Sequence, residues 1–324
     1  MDEFLPTDQY LVPSSPRLAY QEGKKPNVFH AGQRKLFFGE LQFILQYVTE
    51  PTATIVYVGS SPGYHLNAIF PLFPHLTWHN YDIRPPMYDY TGYQVTVHTK
   101  YFTDSDAEYW RTASLTHPVY FMSDIRKEGK GIIYEMYQQR ESYYQRLGLV
   151  LIPKASNDDF EVKTYKPGAR AAYDRLAASA GVAIEEDIEQ GMRNQLQWHR
   201  TINPRKSHLK FRLPWKYTAE SRYRYANGTI LWQIYSRPTS TETRFVPNDQ
   251  LSEAEWSPEI YDQQCFYHNQ NRSSLKFRSY QTGDRLNFDD AEAEYLLLYY
   301  IQYHNPEWTY ERLQQLLADT MPIR

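Results

Sequence analysis

The stretch Ile55–His65, which reads IVYVGSSPGYH, restricts the fold of this chain more than any other segment. A short apolar, β-branched run ends there in Gly59 and Gly63, which stand four residues apart. Such a run predicts a buried strand, and the glycines predict a turn whose backbone approaches a ligand closely. Ligands of open α/β sheets bind beyond the carboxyl ends of the strands. The segment therefore predicts an α/β fold with a cofactor site at this turn.

The spacing within the turn narrows the choice of cofactor. It matches neither G-x-G-x-x-G nor G-x-x-x-x-G-K-[ST], and no lysine follows to hold a phosphate. The next predicted strand ends in Asp82, at the place where an acidic residue commonly binds ribose hydroxyls. The alternative is that Asp82 caps a turn before Pro85 and Pro86. Together the turn and Asp82 favour an adenosyl ligand without a polyphosphate, and S-adenosylmethionine fits that description.

The order of predicted elements favours a mostly parallel sheet. Helices are predicted at 31–49, 65–73 and 132–148, and strands at 54–58, 76–83, 95–102, 119–125 and 160–165. Alternation of this kind predicts βαβ units with helices on both faces of the sheet. Late antiparallel strands are predicted at 208–213 and 221–226, with Asn227-Gly228 as a hairpin turn. A final helical region is predicted from 289 to about 318.

These segments divide the chain into an N-terminal arm, residues 1–30, and one catalytic domain, residues 31–324. The arm carries several prolines and little periodicity, which predicts irregular structure. The domain is expected to contain a helical insertion at about 170–200 and a C-terminal extension.

Composition bounds the class of protein. Cys265 is the single cysteine in 324 residues, which excludes a disulfide framework and a cysteine-based zinc site. A reducing cytoplasm is the simple expectation, and no signal peptide or membrane-spanning run is predicted. The formal charge of −3 means that any nucleic-acid site must be a local patch. The 30 tyrosines suit base stacking and a tyrosine-rich core equally well.

A local basic patch is present in residues 199–224. It includes Arg205, Lys206, Lys210 and Arg212, aromatic residues interleave with the cations, and Glu220 is its one acid. This pattern predicts contacts with RNA phosphates and stacking on bases. The alternative is a solvated basic hairpin.

Four blocks carry a family resemblance: GQRKLFFGELQFI (32–44), VYVGSSPGYH (56–65), MSDIR (122–126) and YTAESR (217–222). In this order they resemble the poxvirus family of cap-specific mRNA 2′-O-methyltransferases, which also serve as stimulatory subunits of a poly(A) polymerase. The resemblance implies a Rossmann-like, S-adenosylmethionine-dependent methyltransferase fold and capped RNA as substrate. It also implies a possible poly(A) polymerase catalytic subunit as partner, and a place in the host cytoplasm or the virion.

The resemblance further implies a Lys-Asp-Lys-Glu tetrad. Lys35, Asp124 and Glu220 lie within matching blocks. For the second lysine, Lys163 in a predicted strand and Lys154 in a predicted loop both compete, and Lys163 is favoured. A ribose 2′-hydroxyl is a poor nucleophile, so a lysine with a depressed pKa would remove its proton while the acids orient the amines. This scheme requires no metal.

For ligands, the resemblance implies two further groups of residues. The residues expected at the cofactor are Gln33, Gly59, Ser61, Gly63, His65, Asp82, Arg84, Phe102 and Asp124. Arg84 is alternatively an ordinary surface residue, and Phe102 alternatively a core residue. The candidates for a cationic 7-methylguanine cap are the aromatic residues Tyr20, Tyr165 and Tyr261 with the acid Asp262.

Three rival functions remain open from sequence. The first is a non-catalytic RNA-binding subunit that stimulates a poly(A) polymerase. The second is a ribose methyltransferase that acts on uncapped RNA. The third is a Rossmann-type nucleotide-binding module without transfer chemistry.

Overall fold

A computed structural model describes residues 10–21, 31–125, 129–153, 160–180, 185–214, 217–272 and 274–321. Its strands are β1 (Tyr10–Leu11), β2 (Thr54–Val58), β3 (Thr77–Asp82), β4 (Val95–Thr99), β5 (Val119–Ser123), β6 (Leu149–Pro153), β7 (Phe160–Thr164), β8 (Ser207–Phe211), β9 (Tyr223–Ala226), β10 (Gly228–Leu231), β11 (Thr243–Pro247), β12 (Glu253–Trp256), β13 (Lys276–Arg278) and β14 (Arg285–Asn287). Its helices are α1 (Ala31–Tyr47), α2 (Leu66–Leu72), α3 (Asp104–Ser114), α4 (Gly129–Gln139), α5 (Glu141–Arg146), α6 (Ala169–Ala180), α7 (Glu185–Ile202), α8 (Pro258–Asn271), α9 (Phe288–Tyr303) and α10 (Tyr310–Thr320).

The described strands form an eight-stranded central sheet in the order β1-β10-β11-β8-β5-β2-β3-β4. The strands β4, β3, β2, β5 and β8 are parallel, whereas β11, β10 and β1 add antiparallel pairs. The chain winds from β2 to β4 on one side and from β5 to β8 on the other. Winding therefore reverses between β2 and β5, the point at which open α/β sheets bind ligands. This topology confirms the predicted Rossmann-like sheet with late antiparallel strands.

Helices pack on both faces of the central sheet. On one face, α1, α2, α9 and α10 share a core with β2 and β3, to which Phe37, Ile69 and Leu297 contribute. On the other face, Phe102 packs against Phe121 of β5 and against Trp198 of α7. All five residues of β2 are buried, as expected for a parallel strand covered on both sides.

Residues 126–191 form a second compact unit with its own core. Within it, β6 and β7 pair antiparallel, and Tyr137, Leu149 and Leu176 pack together among the core residues. The predicted strand at 160–165 is thus confirmed as β7, but it pairs with β6 in a separate two-stranded sheet. The single helix predicted at 132–148 is two helices, α4 and α5. The unit boundary at 191 falls inside α7.

The Asn227-Gly228 hairpin is a wrong prediction. β9 pairs with β12, and β10 pairs with β11 and β1, so the two strands on either side of this dipeptide are not partners. The glycine serves a different purpose. A Cβ atom at Gly228 would lie 2.4 Å from Cζ of Phe245 and 2.5 Å from the carbonyl oxygen of Val246. Glycine stands there because the neighbouring strand packs directly on its backbone.

The described part of the N-terminal arm is anchored to the sheet and to α8. Tyr10 and Leu11 pair with the edge strand β10. The buried Gln264 of α8 donates from Nε2 to the carbonyl oxygens of Val12, Pro13 and Ser15, at 3.1, 3.3 and 3.1 Å. The arm is predicted to be irregular, and residues 12–21 have neither helix nor strand, while the contacts described hold residues 10–18 in place. Residues 1–9 and 22–30 of the predicted arm lie outside the described residues.

The C-terminal helical region predicted at 289–318 is confirmed as α9 and α10, which a short connection at 304–309 separates. None of the described helices has both the length and the hydropathy needed to cross a bilayer.

Replacing Gln264 with Leu is expected to release the arm without unfolding the core. The change removes three side-chain hydrogen bonds, each worth on the order of 1 kcal/mol. Trypsin cleavage after Arg17 should then accelerate roughly 10-fold or more, as measured by timed proteolysis and mass spectrometry. The neighbouring change Gln263→Leu is the matched control, because that side chain bonds Glu259 instead of the arm. Equal cleavage of the two variants would refute the anchoring role.

Candidate active site

Several charged residues converge at the carboxyl edge of the parallel strands. Asp124 directly follows β5, Lys210 lies one residue before the end of β8, and Glu242 precedes β11. Because β11 runs antiparallel to β8, its first residues lie at this same edge, and Arg244 stands opposite Lys210. The helix α1 leads into β2, so its first turns, with Lys35, also lie at the carboxyl ends of the strands.

These five residues form one ion-paired cluster. Asp124 Oδ1 lies 2.8 Å from Lys210 Nζ and 2.8 Å from Arg244 Nη2. Glu242 contacts Lys35 Nζ at 2.6 Å and Lys210 Nζ at 3.7 Å. Their side chains are between 3% and 18% exposed, so solvent screens the charges weakly. With three cations and two carboxylates, the five residues together carry one positive charge.

The electrostatics of the cluster centre on Asp124. Burial alone would raise the pKa of this carboxyl group, but Lys210 and Arg244 outweigh burial and hold the pKa well below its ordinary value. Lys35 contributes in the same direction. Asp124 is therefore a permanent carboxylate at neutral pH, and its charge orients the cations around it.

The structure joins only part of the tetrad expected from sequence. Lys35 and Asp124 lie in the cluster, but the lysine and the glutamate that meet them are Lys210 and Glu242. Lys163 lies in β7 of the second unit, with Glu161 at 3.9 Å and a side chain 40% exposed. Lys154, the alternative, lies outside the described residues.

Glu220 occupies an exposed turn, where a hydrogen bond with Thr218 is the main cause that lowers the pKa of its carboxyl group. The acid that contacts Lys35 and Lys210 is Glu242. A signal for the missed residues was present in the sequence. Lys210 and Arg244 are charged residues inside strands whose other residues are buried, and buried charges are rare unless they are paired.

The glycine turn lies beside this cluster. Gly59 has a φ of +86°, and a Cβ atom there would lie 2.9 Å from the backbone carbonyl of Asp124. Gly63 has a φ of +68°, and a Cβ atom there would lie 2.5 Å from the carbonyl oxygen of Ser60. Both glycines are thus required by the protein's own backbone, whereas the sequence analysis attributed them to close approach of a ligand.

The turn is tied to the end of β3 by hydrogen bonds. The carboxylate of Asp82 accepts from the backbone N–H of Ser61 at 3.1 Å and of Arg84 at 2.9 Å. The Arg84 guanidinium donates to the carbonyl oxygen of Ser61 at 2.8 Å, and the Ser61 hydroxyl donates to that of Pro85. Asp82 therefore does cap this turn. Because Asp82 Oδ2 accepts one protein hydrogen bond, it keeps a lone pair for a sugar hydroxyl, which suits an adenosyl ligand.

Two predicted cofactor residues are placed in the protein interior. Phe102 is buried and packs edge-on against Tyr81 and Trp198, as a core residue does. His65 is buried, and its two ring nitrogens contact the side chains of Gln33 and Glu40. Gln33 itself is partly exposed near the start of α1.

The basic patch predicted at 199–224 is divided by the fold. Arg205 and Lys206 precede β8 at the amino edge of the sheet, where they line a cleft of about 340 Å³. Arg205 lies 3.6 Å from Glu50, and Lys206 is ion-paired with Asp249. The expectation of one continuous RNA surface is corrected here. Lys210 is engaged with Asp124 at the opposite edge, and Arg212 is buried.

The cap candidates are likewise divided. Tyr20 packs edge-on against Phe266 and lies near Tyr217 and Asp262. Burial and Asp262 raise the pKa of the Tyr217 hydroxyl, which hydrogen-bonds that carboxylate. Tyr261 is buried, and its hydroxyl donates to the carbonyl oxygen of Thr241, so the fold uses it as a core residue. The exposed Tyr165 follows β7 in the second unit.

The arrangement at the carboxyl edge suits chemistry on an oxygen nucleophile. Two amines and a guanidinium, fixed by two carboxylates, can bind and orient a hydroxyl oxygen at the switch point. Within the described ranges, no group of three or more His, Cys, Asp or Glu side chains is arranged to hold a metal ion.

Comparison with protein families gives a match over part of the chain. Residues 15–135 match the model of a family described as the poly A polymerase regulatory subunit. This region contains the resembling blocks at 32–44, 56–65 and 122–126, and it confirms the resemblance there. Lys35 and Asp124 fall inside the match, and Lys210 and Glu242 fall outside it. No curated protein matches the chain.

Replacing Gly59 with Ala is expected to destabilise the protein more than a left-handed backbone alone explains. Gly92→Ala is the matched control, because Gly92 has a φ of +84° and no atom within 4 Å of a Cβ at that position. Gly92→Ala should cost about 1 kcal/mol, and Gly59→Ala should cost at least about 1 kcal/mol more, because the Asp124 backbone must move. Urea unfolding of both variants measures the difference. Equal losses would show that the turn has room to relax.

The paired state of Asp124 predicts a specific pH dependence of stability. Its depressed pKa stabilises the fold at pH values above about 4, and this contribution is lost as the pH falls below the ordinary range of an aspartate. Asp124→Asn should cost roughly 3 to 5 kcal/mol at pH 7 and should flatten the fall in stability between pH 5 and pH 3. Denaturant unfolding across that range measures both effects.

The control for that prediction is Asp249→Asn, which breaks the exposed ion pair with Lys206. An exposed pair contributes at most about 1 kcal/mol. Equal effects of the two substitutions at pH 7 would contradict the central place given to Asp124.

Proposed function

We propose that this chain, whose residues 15–135 match the poly A polymerase regulatory subunit family, is an S-adenosylmethionine-dependent mRNA 2′-O-methyltransferase. Its substrate is the first transcribed nucleotide of a capped RNA. The observation that carries this proposal is the cluster of Lys35, Asp124, Lys210 and Glu242 at the switch point of the sheet. Two lysines and two acids at this place are the residue types that the family resemblance implies.

Lys210 is the residue placed to act on the ribose oxygen. Its Nζ is held by Asp124 on one side and by Glu242 on the other, and opposite charges at these distances favour the ammonium form. In this form it donates a hydrogen bond to the 2′-oxygen and aims a lone pair of that oxygen at the methyl carbon. The principal contribution of Lys210 is therefore orientation of the oxygen, and not removal of its proton by a neutral lysine.

The transfer balances without a further reactant. S-adenosylmethionine, when bound, supplies a methyl group on a positively charged sulfur. The ribose oxygen forms a bond to that carbon as the carbon–sulfur bond breaks, and the hydroxyl proton leaves to water. Lys35, fixed by Glu242 at 2.6 Å, adds positive charge that stabilises the oxygen as its proton is lost.

The residues around the turn fit the cofactor by their chemistry. Asp82 offers an acceptor to the ribose hydroxyls of the adenosine, and Gln33 offers an amide nitrogen from α1. The backbone from Gly59 to Gly63 lies between them. For the cap, Tyr20 and Tyr217 provide aromatic faces, and Asp262, which is buried and hydrogen-bonds Tyr217, adds negative charge beside them.

A second role, as an RNA-binding stimulatory subunit of a poly(A) polymerase, is supported by the family match and by a different part of the structure. Arg200, Arg205 and Lys206 line the cleft at the amino edge of the sheet, away from the lysine–carboxylate cluster. A cationic cleft of this kind fits RNA phosphates. The two roles use opposite edges of one sheet, so one chain can perform both.

Methyl transfer is expected to depend on the residues that the structure brings together. Radiolabel from S-adenosylmethionine is counted in a short RNA carrying a 7-methylguanosine cap, and the labelled ribose is identified after nuclease digestion. Lys210→Met and Glu242→Gln should each lower the rate by about 10²- to 10³-fold, because each removes a group that orients the reacting oxygen. Lys163→Met and Glu220→Gln are the matched controls, and neither should lower the rate more than about threefold.

Each result of this experiment has a separate meaning. If Lys163→Met abolishes methyl transfer and Lys210→Met does not, then Lys163 is the second lysine of the tetrad. If uncapped RNA is methylated at the same rate as capped RNA, the cap is not part of the substrate that the protein recognises. If the wild-type protein binds capped RNA but labels none of it, the enzymatic function fails, and the stimulatory role supported by the family match takes its place.

A further inference from the structure

A chain of buried hydrogen bonds lies beneath the glycine turn. Gln33 Oε1 lies 3.2 Å from the backbone nitrogen of His65 and 3.0 Å from its Nδ1. On the other side of the ring, His65 Nε2 lies 2.9 Å from Glu40 Oε1, and Tyr57 donates its hydroxyl to the same oxygen at 2.6 Å. The side chains of His65 and Glu40 are each 2% exposed, so water does not compete with these contacts.

The donors and acceptors in this chain can be assigned from their partners. A backbone N–H only donates, so the Gln33 atom that faces it must be the carbonyl oxygen. That oxygen also faces His65 Nδ1, and Nδ1 must therefore carry a proton. The amide nitrogen of Gln33 then lies on the opposite side of the same planar group. Among the described residues it has no acceptor, and it is free to donate to a ligand.

The same assignment constrains the other half of the ring. With Nδ1 protonated, Nε2 either accepts a proton from Glu40 or donates one to it, and in both cases one proton lies between these two groups. Glu40 Oε1 also accepts the Tyr57 hydroxyl. Burial, followed by Glu40 and Asp124, raises the pKa of Tyr57, so Tyr57 keeps its proton and remains the donor.

His65 thereby holds α1 at two points. Gln33 and Glu40 are seven residues apart, which is two turns, and so they lie on one face of the helix. Lys35 lies between these two points on the same helix and reaches Glu242. His65 itself ends the glycine turn. A displacement of His65 would shift both the amide that faces the turn and the rotation of the helix that carries Lys35.

We propose that His65 and Glu40 are positioning residues for methyl transfer: His65 sets the orientation of the Gln33 amide toward the cofactor, and Glu40 sets the rotation of α1 that places Lys35. This inference rests on the proposed methyltransferase function and assigns it two residues that touch neither substrate. His65, expected from the resemblance to bind the cofactor, acts through Gln33 instead.

Two substitutions of His65 separate the two halves of the chain. The amide of Asn reaches about as far as Nδ1 of histidine, so His65→Asn keeps an N–H donor for Gln33 and loses the contact with Glu40. The amide of Gln reaches about as far as Nε2, so His65→Gln keeps the contact with Glu40 and loses the donor for Gln33. The two variants are otherwise matched in polarity, and each serves as control for the other.

The expected result is a split between KM for S-adenosylmethionine and kcat. His65→Gln should raise KM about 10-fold, because Gln33 Oε1 keeps only the backbone N–H of residue 65 and loses the ring N–H that fixes the orientation of its amide. His65→Asn should lower kcat about 10-fold with a smaller change in KM, because α1 loses its second fixed point. Glu40→Leu should lower kcat in the same way, and Glu40→Gln, which still bonds both His65 and Tyr57, should recover most of it.

A purely structural role for the chain gives a different result. In that case KM would rise and kcat would fall together in both His65 variants, and the less thermally stable variant would show the larger changes. That result would overturn the proposal. Nitrogen-15 NMR of the ligand-free protein gives a readout independent of activity. A His65 Nδ1 without a bound proton would also overturn it.

Failure of the proposed function is distinguished by measuring the wild-type protein first. If the wild type transfers no methyl group, the methyltransferase assignment fails before any variant is tested. If the wild type is active and the His65 variants do not split, the assignment stands and only the positioning inference fails.

Discussion

The paired carboxylate of Asp124 is the constraint on which the site depends. A carboxylate held this far from water costs several kcal/mol unless cations compensate it, and here Lys210 and Arg244 both do so at 2.8 Å. Meeting that requirement fixes the antiparallel register of β8 and β11, because Lys210 and Arg244 must stand opposite each other. It also fixes Gly59, since the turn after β2 packs against the Asp124 backbone itself. The ion pairs, the strand register and the turn therefore all depend on the position of the Asp124 carboxylate.

The parts of this site that sequence predicted are those that local pattern determines. The β2 strand and its turn follow from a short segment on its own, and Lys35 and Asp124 follow from short blocks that carry the family resemblance. The remaining members depend on distant pairing. Lys210 is 86 residues from Asp124, and Glu242 is 207 residues from Lys35. No local pattern reports the register of β11 on β8, so the sequence does not point to Lys210 and Glu242 as partners of Lys35 and Asp124. Glu220, which is predicted in place of Glu242, lies in an exposed turn.

The glycines show the same limit in the fold. Sequence cannot distinguish a glycine that needs a left-handed backbone from one that another strand packs against. Gly92 needs only the left-handed backbone, Gly228 needs only the close packing, and Gly59 needs both. The Asn227-Gly228 pair was assigned to a hairpin because this dipeptide favours such turns. The structure uses its glycine for close packing with Phe245, and tertiary contact overrides the local preference.

The division of the basic segment bears on the two roles proposed for this chain. Lys206 directly precedes β8 and Lys210 lies within it, four residues further on, which corresponds to about 13 Å of extended chain. That distance separates a cleft at the amino edge from the ion-paired cluster at the carboxyl edge. At physiological salt, charges so far apart interact weakly through solvent. An RNA held at the amino edge therefore leaves the Asp124 cluster electrically undisturbed, and each edge can evolve its own ligand preference on a shared scaffold.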